Sequence, residues 1–580
     1  MPNFFTDNED ILDFLQNADL RNLVMLPERG YADAAQYDYA PADYADAMDN
    51  YRRVLEVVGK LAADFIAPRA ADVDAEGAHF KDGKVTYATG TREALDQLRK
   101  ADLMGFTLPR RYGGLNMPVL IYTIAIELVS RADASLMNLF GLQDIAETIS
   151  RFADDDIKAK YLPLFCQGAV TGAMALTEPD AGSDLTNVQL SATYDEAAGV
   201  WRLNGVKRFI TNGCAEVLLV LARSEPDSEG ARGLSVFLCE AGPAVRVRRI
   251  EEKLGIHGSP TCELQFADAP ALLIGQRRRG LSTYVMSLMN GARVAIAAQG
   301  VGIAQAALSD ALDYAAEREQ FGRPIRQFPA VRRMLGDMHM KVETARLLTY
   351  ETAIAVDMAN GIEHARAAGA LPGLPHGQEL AAQERMWTTL VRALTPVAKY
   401  YATEMCNEVA YDALQVLGGS GYMRDYDVER YYRDARITTI YEGTTQIQHN
   451  AAIGYVTKGT FEERYGQLHA TLADRKGDAF AGGMLDALLD ARRCFAEAVD
   501  YANAQDNDFR DLHAARLVES AALIYNGYLL LEPAMRSQHK QALAEHYMHE
   551  VLPRVRMLRE QVVSSKRTYL KRMPDLLEYE

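Results

Sequence analysis

Residues 414–448 read LQVLGGSGYMRDYDVERYYRDARITTIYEGTTQIQ, a stretch that changes character twice. It opens with Gln415 and a glycine cluster, Gly418, Gly419 and Gly421. Glycines let a ligand approach the backbone closely. A charged run follows, and it ends at Tyr441-Glu442-Gly443-Thr444. Glu442 stands just before the point where a helix is predicted to start. Two readings are open: a carboxylate presented to a site, or a carboxylate satisfied at a helix N-terminus.

Three further segments carry chemistry. In residues 175–184, ALTEPDAGSD, a strand is expected to end at Thr177, and a Pro/Gly turn follows. Its amides, with the hydroxyls of Thr177 and Ser183, suit the polar edge of a flavin or a pyrophosphate; a tight turn between strands is the structural alternative. In residues 207–212, KRFITN, Phe209 and Thr211 are two apart on one strand face. A ring there can cover a flavin and a hydroxyl can bond it, or the pair is a core Phe beside a surface Thr. In residues 317–325, EREQFGRPI, a helix ends and presents Arg318. Arginine grips phosphate with two parallel bonds, and it also suits a helix C-terminus.

Around these segments the texture is helix, strand, helix. Residues 1–50 form a Tyr/Asp/Ala-rich arm expected to be partly ordered and to pack on the body. Residues 51–168 are helical in pattern, with Leu55, Val58 and Leu61 recurring at threes. Residues 169–278 carry short β-rich runs at 171–177, 200–210, 217–222, 234–239 and 262–266. Residues 279–457 return to long amphipathic helices, and 458–580 form a further helical block. In the last helix Val551, Val555, Leu558, Val562 and Tyr569 define an apolar face. The fold class is mainly α with a central β-domain.

The chain of 580 residues is 48% hydrophobic and 24% charged, which suits a soluble protein of several packed units. A net charge of -17 argues against a nucleic-acid binder, whose affinity comes from Lys and Arg. The six cysteines show no CxxC pair and no zinc spacing with histidine, so reduced structural thiols, a cytoplasmic location and no metal are expected. The N-terminal residues have no basic flank before an apolar stretch, and no run of about 18 apolar residues suggests a membrane span. A Rossmann G-x-G-x-x-G, a Walker A, an H-E-x-x-H and a G-x-S-x-G are all absent.

Taken together and in this order, the segments closely resemble the acyl-CoA dehydrogenase family over roughly residues 50–455. TEPDAGSD resembles its flavin-loop signature, and residues 414–448 resemble its C-terminal signature almost residue for residue. The resemblance implies a helical domain, a small β-barrel or sandwich domain and a four-helix bundle, here followed by an extra helical domain. It implies FAD as cofactor, shared across a subunit interface in a homodimer or homotetramer.

Residue by residue, it implies that Thr177 and Ser183 touch the flavin and its phosphates. Phe209 takes the place of a Trp found in many members, and Thr211 bonds the N5 side. Arg318, Gln320, Phe321, Gln415, Gly418 and Gly419 reach the FAD of a neighbouring subunit, while Thr444 and Gln446 complete the site. Glu442 is the implied catalytic base, and Ser183, Arg293, Tyr441 and Gly443 are implied substrate contacts. One departure is Gln327-Phe-Pro329-Ala, where many members have Gln before Ala-Ile, so that adenine contact is left unassigned. Ala292 occupies the position where some members carry an alternative catalytic Glu, which favours Glu442. Segments 136–149 and 283–293 are candidate pocket walls.

The implied reaction is α,β-dehydrogenation of an acyl-CoA thioester, with electrons passed to an electron-transferring flavoprotein. A thioester α-proton is weakly acidic. A carboxylate removes it only where developing charge is stabilised and burial raises the base's pKa. The wording RYGGLN and LGIHGSPTCEL, with the extension, resembles a long bacterial branch that includes 3-methylmercaptopropionyl-CoA enzymes. Alternatives are a DNA-associated stress protein of the same fold, disfavoured by the acidic charge, and an acyl-CoA oxidase. Nitroalkane-type relatives normally carry Asp at the base position. The basic residues of the last helix (Arg554, Arg556, Arg559, Lys566, Arg567, Lys571 and Arg572) are expected to be a solvated face rather than a membrane contact.

Overall fold

The computed structural model describes residues 2–368, 378–473 and 479–565, with Arg572 and Asp575. The N-terminal arm is built into the body. Helix α1 (Glu9–Asn17) is capped by Asn8, whose side chain accepts from Ile11 N at 3.1 Å. Phe5, Ile11, Leu15 and Leu20 are buried in one apolar cluster with Tyr51, Leu55 and Val58 of α2 (Tyr44–Leu61). Ile11 and the leucines of the arm thus help to complete the first helical core. That core is centred on α3 (Val119–Ala132), almost wholly buried, and continues into α4 (Ala134–Phe140).

Seven strands follow: β1 (Gly172–Ala175), β2 (Ser191–Asp195), β3 (Val200–Thr211), β4 (Val217–Arg223), β5 (Leu234–Glu240), β6 (Val245–Ile250) and β7 (Thr261–Ile274). Their order is β1-β4-β2-β3-β7-β5, with β6 on β7 and a β4–β5 pairing that closes the path into a barrel. β4 reads VLLVLAR and buries both faces. Leu218, Val220 and Ala222 face the barrel core, while Val217, Leu219 and Leu221 pack on helices around Phe165 and Ile145. Strands β2 and β6 are absent from the sequence reading; β6, VRVRRI, alternates apolar and arginine residues with little burial. β1 also ends at Ala175, two residues short of Thr177.

The third layer is α5 (Met286–Glu317), α6 (Pro329–Ala368), α7 (Gln378–Leu417), a shorter α8 (Val428–Thr438) and α9 (Thr445–Thr457). α5 has a segment long and apolar enough to cross a membrane, but 83% of it is buried inside the protein. It is the central rod, packed against α3, α6 and α7. Gly302 permits the closest approach, since a Cβ there would lie 2.4 Å from the carbonyl oxygen of Glu127 on α3.

Residues after α9 form α10 (Thr460–Ala473), α11 (Ala479–Asn503), α12 (Asn507–Ala534) and α13 (Gln538–Val563). Their apolar cluster is continuous with that of α5–α9. Val551, Val555, Leu558 and Val562 are buried as their spacing requires, and Tyr569 lies outside the described residues. The basic side chains of α13 meet acids of the neighbouring helices: Arg554 pairs with Glu519, Arg559 with Glu497 at 2.6 Å, and Arg556 with Asp490 at 3.7 Å. Arg572 lies 3.6 Å from Asp575, while Lys566, Arg567 and Lys571 lie outside the described residues. All six cysteines are free thiols.

Candidate active site

The loop after β1 is held by a buried ion pair. Lys207 Nζ donates to Glu178 Oε1 at 2.8 Å and to the carbonyl of Leu176 at 2.7 Å. The same carboxylate accepts from the amides of Gln189 (2.8 Å) and Leu190 (3.0 Å). Asp184 closes the loop by accepting from Thr186 N at 3.0 Å. The hydroxyls of Thr177, Ser183 and Thr211 bond to no protein group among the described residues.

β3 is not regular where Phe209 sits. The register against β7 shifts between Lys207 and Ile210, and Phe209 adopts φ 60°. A β-bulge re-aims side chains; here it leaves the Phe209 ring 53% exposed. Arg208 stands over the ring, 4.6 Å from its centroid. The expectation of simple alternation between Phe209 and Thr211 is corrected by this bulge. At the strand's end Asn212, also at positive φ, is buried and donates to the carbonyl of Gly172 at 3.1 Å, which ties β3 to β1.

Opposite this platform, α8 ends and the chain turns through Tyr441, Glu442 and Gly443 into α9. Glu442 has φ 54° and Gly443 φ 92°. A Cβ at Gly443 would also come within 2.7 Å of Gln448 Nε2. Thr444 caps α9, its hydroxyl accepting from Ile447 N at 3.4 Å. Gln448 Nε2 donates to the carbonyls of Glu442 (3.0 Å) and Gly443 (2.9 Å), and Lys399 Nζ donates to the carbonyl of Gly443 at 2.8 Å. With the carbonyls turned inward, the amides of Glu442 and Gly443 donate to no protein group among the described residues.

One cavity joins the two sides. Thr177, Phe209 and Thr211 line it together with Tyr441 and Glu442. Its walls are Met137, Asn138, Gly141, Leu142 and Ile145 on one side and Leu288, Ala292 and Ile296 on the other, within or beside the two segments expected from the sequence. Burial pushes the Glu442 carboxyl above its usual range, opposed by the charges of Arg293 and Lys399. Arg293 is buried, and its Nε has no hydrogen-bond partner among the described residues. The Tyr441 hydroxyl is engaged, donating to Gln299 Oε1 and lying 3.2 Å from Asn138 Oδ1. A second cavity shares Asp144, Leu288 and Ala295 with the first and is also lined by Tyr122, Glu147 and Thr148.

The other residues named from the sequence do not line this cavity. Ser183 is exposed on its loop and Gln446 on the first turn of α9. Arg318 caps α5, and Glu319–Gln320 pairs with Arg323–Pro324 around a turn at Phe321 and Gly322. Phe321 is 94% exposed. Tyr314 donates to Ser420 Oγ at 3.2 Å, which sets this hairpin's base beside the glycine cluster. Gln415, Gly418 and Gly419 are exposed there.

Lys399, Gln448, Lys207 and Glu178 escaped the sequence reading as site residues. For Lys399 a signal existed: it interrupts a buried face of α7 formed by Val397, Ala398, Ala402 and Cys406.

These features define an enzyme-type site, a carboxylate in a largely apolar cleft with an aromatic and hydroxyl-bearing platform. Comparison with known proteins gives the family. The chain matches the N-terminal (residues 48–169), middle (173–269) and C-terminal (294–446) domains of acyl-CoA dehydrogenase. It is 34% identical over 489 residues to the 3-methylmercaptopropionyl-CoA dehydrogenase of Ruegeria pomeroyi, covering 78% of this chain and 79% of that protein. The butyryl-CoA dehydrogenase structure from Megasphaera elsdenii aligns with TM-score 0.59 and 31% identity, over 70% of this chain and 97% of that one. A Bacillus anthracis acyl-CoA dehydrogenase, solved with FAD, aligns with TM-score 0.75 at 21% identity, over 91% of this chain and 92% of that one. That likeness speaks for the fold. The chain belongs to the acyl-CoA dehydrogenase family, a family of flavoprotein oxidoreductases, and is an enzyme of that type.

Proposed function

We propose that this enzyme oxidises an acyl-CoA thioester to its trans-2-enoyl form, with Glu442 removing the α-proton. The observation that carries the reading is the placement of Glu442 across one buried cavity from Thr177, Phe209 and Thr211. FAD suits that platform: the three free hydroxyls of Thr177, Ser183 and Thr211 match polar ring edges and phosphates, and Phe209 offers a face. When bound, FAD supplies the acceptor for the β-hydride.

The chain's own residues do the rest. Burial keeps Glu442 basic enough to take the α-proton, while Arg293 and Lys399 keep it ionised beforehand. The free amides of Glu442 and Gly443 are fixed donors for charge developing on the thioester oxygen. Tyr441 and the walls at Met137, Leu142 and Ile296 exclude water and hold the acyl chain between base and platform. General-base catalysis of this kind is worth about 10²–10⁴-fold.

Ser183, Arg293, Tyr441 and Gly443 are the proposed substrate contacts. Arg318, Gln320, Phe321, Gln415, Gly418 and Gly419 form an exposed group at one end of the bundle, supporting a second copy that shares the FAD. Thr444 and Gln446 flank that site. An electron-transferring flavoprotein is the proposed electron acceptor.

The test is anaerobic titration with a panel of acyl-CoAs, following the flavin band. Bleaching by one chain class is expected, and its loss in Glu442→Gln with FAD still bound. Bleaching by no acyl-CoA, or near-normal bleaching in Glu442→Gln, overturns the reading.

A further inference from the structure

We infer that Lys399 is a positioning residue for the reaction: its ammonium fixes the Glu442–Gly443 turn that presents the carboxylate to the cavity. The inference rests on Glu442 being the base.

The geometry is specific. Lys399 is fully buried in the middle of α7, forty-four residues from Gly443, and it spends its hydrogen bond on that residue's carbonyl at 2.8 Å. A buried ammonium is costly unless it is paired. Nothing about helix packing requires one at a position flanked by Val397, Ala398 and Ala402. The turn it holds is an unfavourable one, with a non-glycine residue, Glu442, at φ 54°. Lys399 and Gln448 clamp it from behind, so that the Glu442 carboxylate is delivered to the cavity and the neighbouring amides stay free.

The charged and titratable groups around this turn are few. Arg293 approaches from α5, Lys399 and Glu404 from α7, and Tyr441 from the turn itself; Asp144 lines the cavity from the far wall. Glu404 is itself bonded by the hydroxyl of Thr445, the first residue of α9. Burial pulls the Lys399 ammonium down to about 7, opposed by Glu442 and reinforced by Arg293. Lys399 and Glu442 therefore each favour the other's charged form. Taking the α-proton neutralises Glu442 and removes the main electrostatic support for the ammonium.

The sign of the effect follows. Removing the cation raises the pKa of Glu442, and only the ionised carboxylate accepts the α-proton. The acidic limb of the rate profile then moves to higher pH, and on that limb the rate falls about tenfold for each unit moved.

The experiment is stopped-flow flavin reduction by the best acyl-CoA across pH 5–10, for wild type, Lys399→Met and Lys399→Arg, with FAD content and thermal melting measured in parallel. Expected in Lys399→Met are an acidic limb displaced to higher pH, which adds about a tenfold rate loss there, a smaller pH-independent loss from the loosened turn, and bound FAD near wild type. Lys399→Arg should return the limb toward its original position. An unchanged pH profile in Lys399→Met overturns the inference, as does a loss that tracks FAD release or unfolding and is independent of pH. The base assignment is judged separately, by Glu442→Gln: if that variant still bleaches, the base is elsewhere whatever Lys399 does.

Discussion

The side-chain amide of Gln448 donates to the carbonyl oxygen of Glu442 at 3.0 Å, so the residue that ends the C-terminal signature holds the backbone of its glutamate. Gln448 is fully buried and sits one turn into α9. Its partner carbonyls lie just ahead of that helix and have no helical donor of their own.

Gln448→Ala should therefore act through geometry. Leaving a buried carbonyl without a donor costs about 1–3 kcal/mol of stability. Because a misplacement of about 1 Å can cost about 10²-fold, flavin reduction should slow by one to two orders of magnitude. Urea unfolding and single-turnover reduction measure the two effects; normal reduction in a destabilised variant would refute the link.

Lys207→Met should damage the flavin loop from below. The ammonium binds Glu178 Oε1 at 2.8 Å and the Leu176 carbonyl at 2.7 Å, and both side chains are buried. Removing one partner of a buried pair costs about 3–5 kcal/mol because a charge is left unpaired. The expected results are a lower urea midpoint and a reduced FAD-to-protein ratio after gel filtration. Adding Glu178→Gln should recover part of the stability by removing the stranded charge.

Lys540→Met tests how the two ends of the chain are joined. Lys540 of α13 pairs with Asp10 of α1 and, at 2.5 Å, with Glu343 of α6. Arg346 bridges the same acids, at 3.2 Å from Asp10 and 3.0 Å from Glu343, and reaches Glu127 of α3 at 2.9 Å. Burial alone would raise the Asp10 carboxyl, but His339, Arg346 and Lys540 outweigh it and hold the carboxyl below its usual range. Since the folded pKa is depressed, this carboxylate's contribution is complete above about pH 4 and is lost as the pH falls below that. Lys540→Met should cost about 3–5 kcal/mol at neutral pH and open the arm to limited proteolysis within residues 1–40. The deficit relative to wild type should shrink on acidification.

The sequence by itself determined the class of fold and pointed to the glutamate proposed as the base. Signatures such as TEPDAGSD and IYEGTTQIQ are local: their glycines, hydroxyls and carboxylate lie within a few residues of one another, so the resemblance they carry is visible without the fold. The helix, strand, helix order was legible for the same reason, since periodicity is a property of neighbours. The strand β6 escaped because its arginines mask alternation, and the bulge at Phe209 because register is fixed by the partner strand. Only the tertiary structure decided that Lys399 meets Gly443, that the arm completes the first helical core, and that the C-terminal helices share one core with α5–α9. Each of these joins residues far apart in the chain. A buried lysine or an apolar arm residue finds its partner only when the whole chain has closed around it, because the cost of burying a charge or ordering a segment is offset by contacts that no local stretch contains.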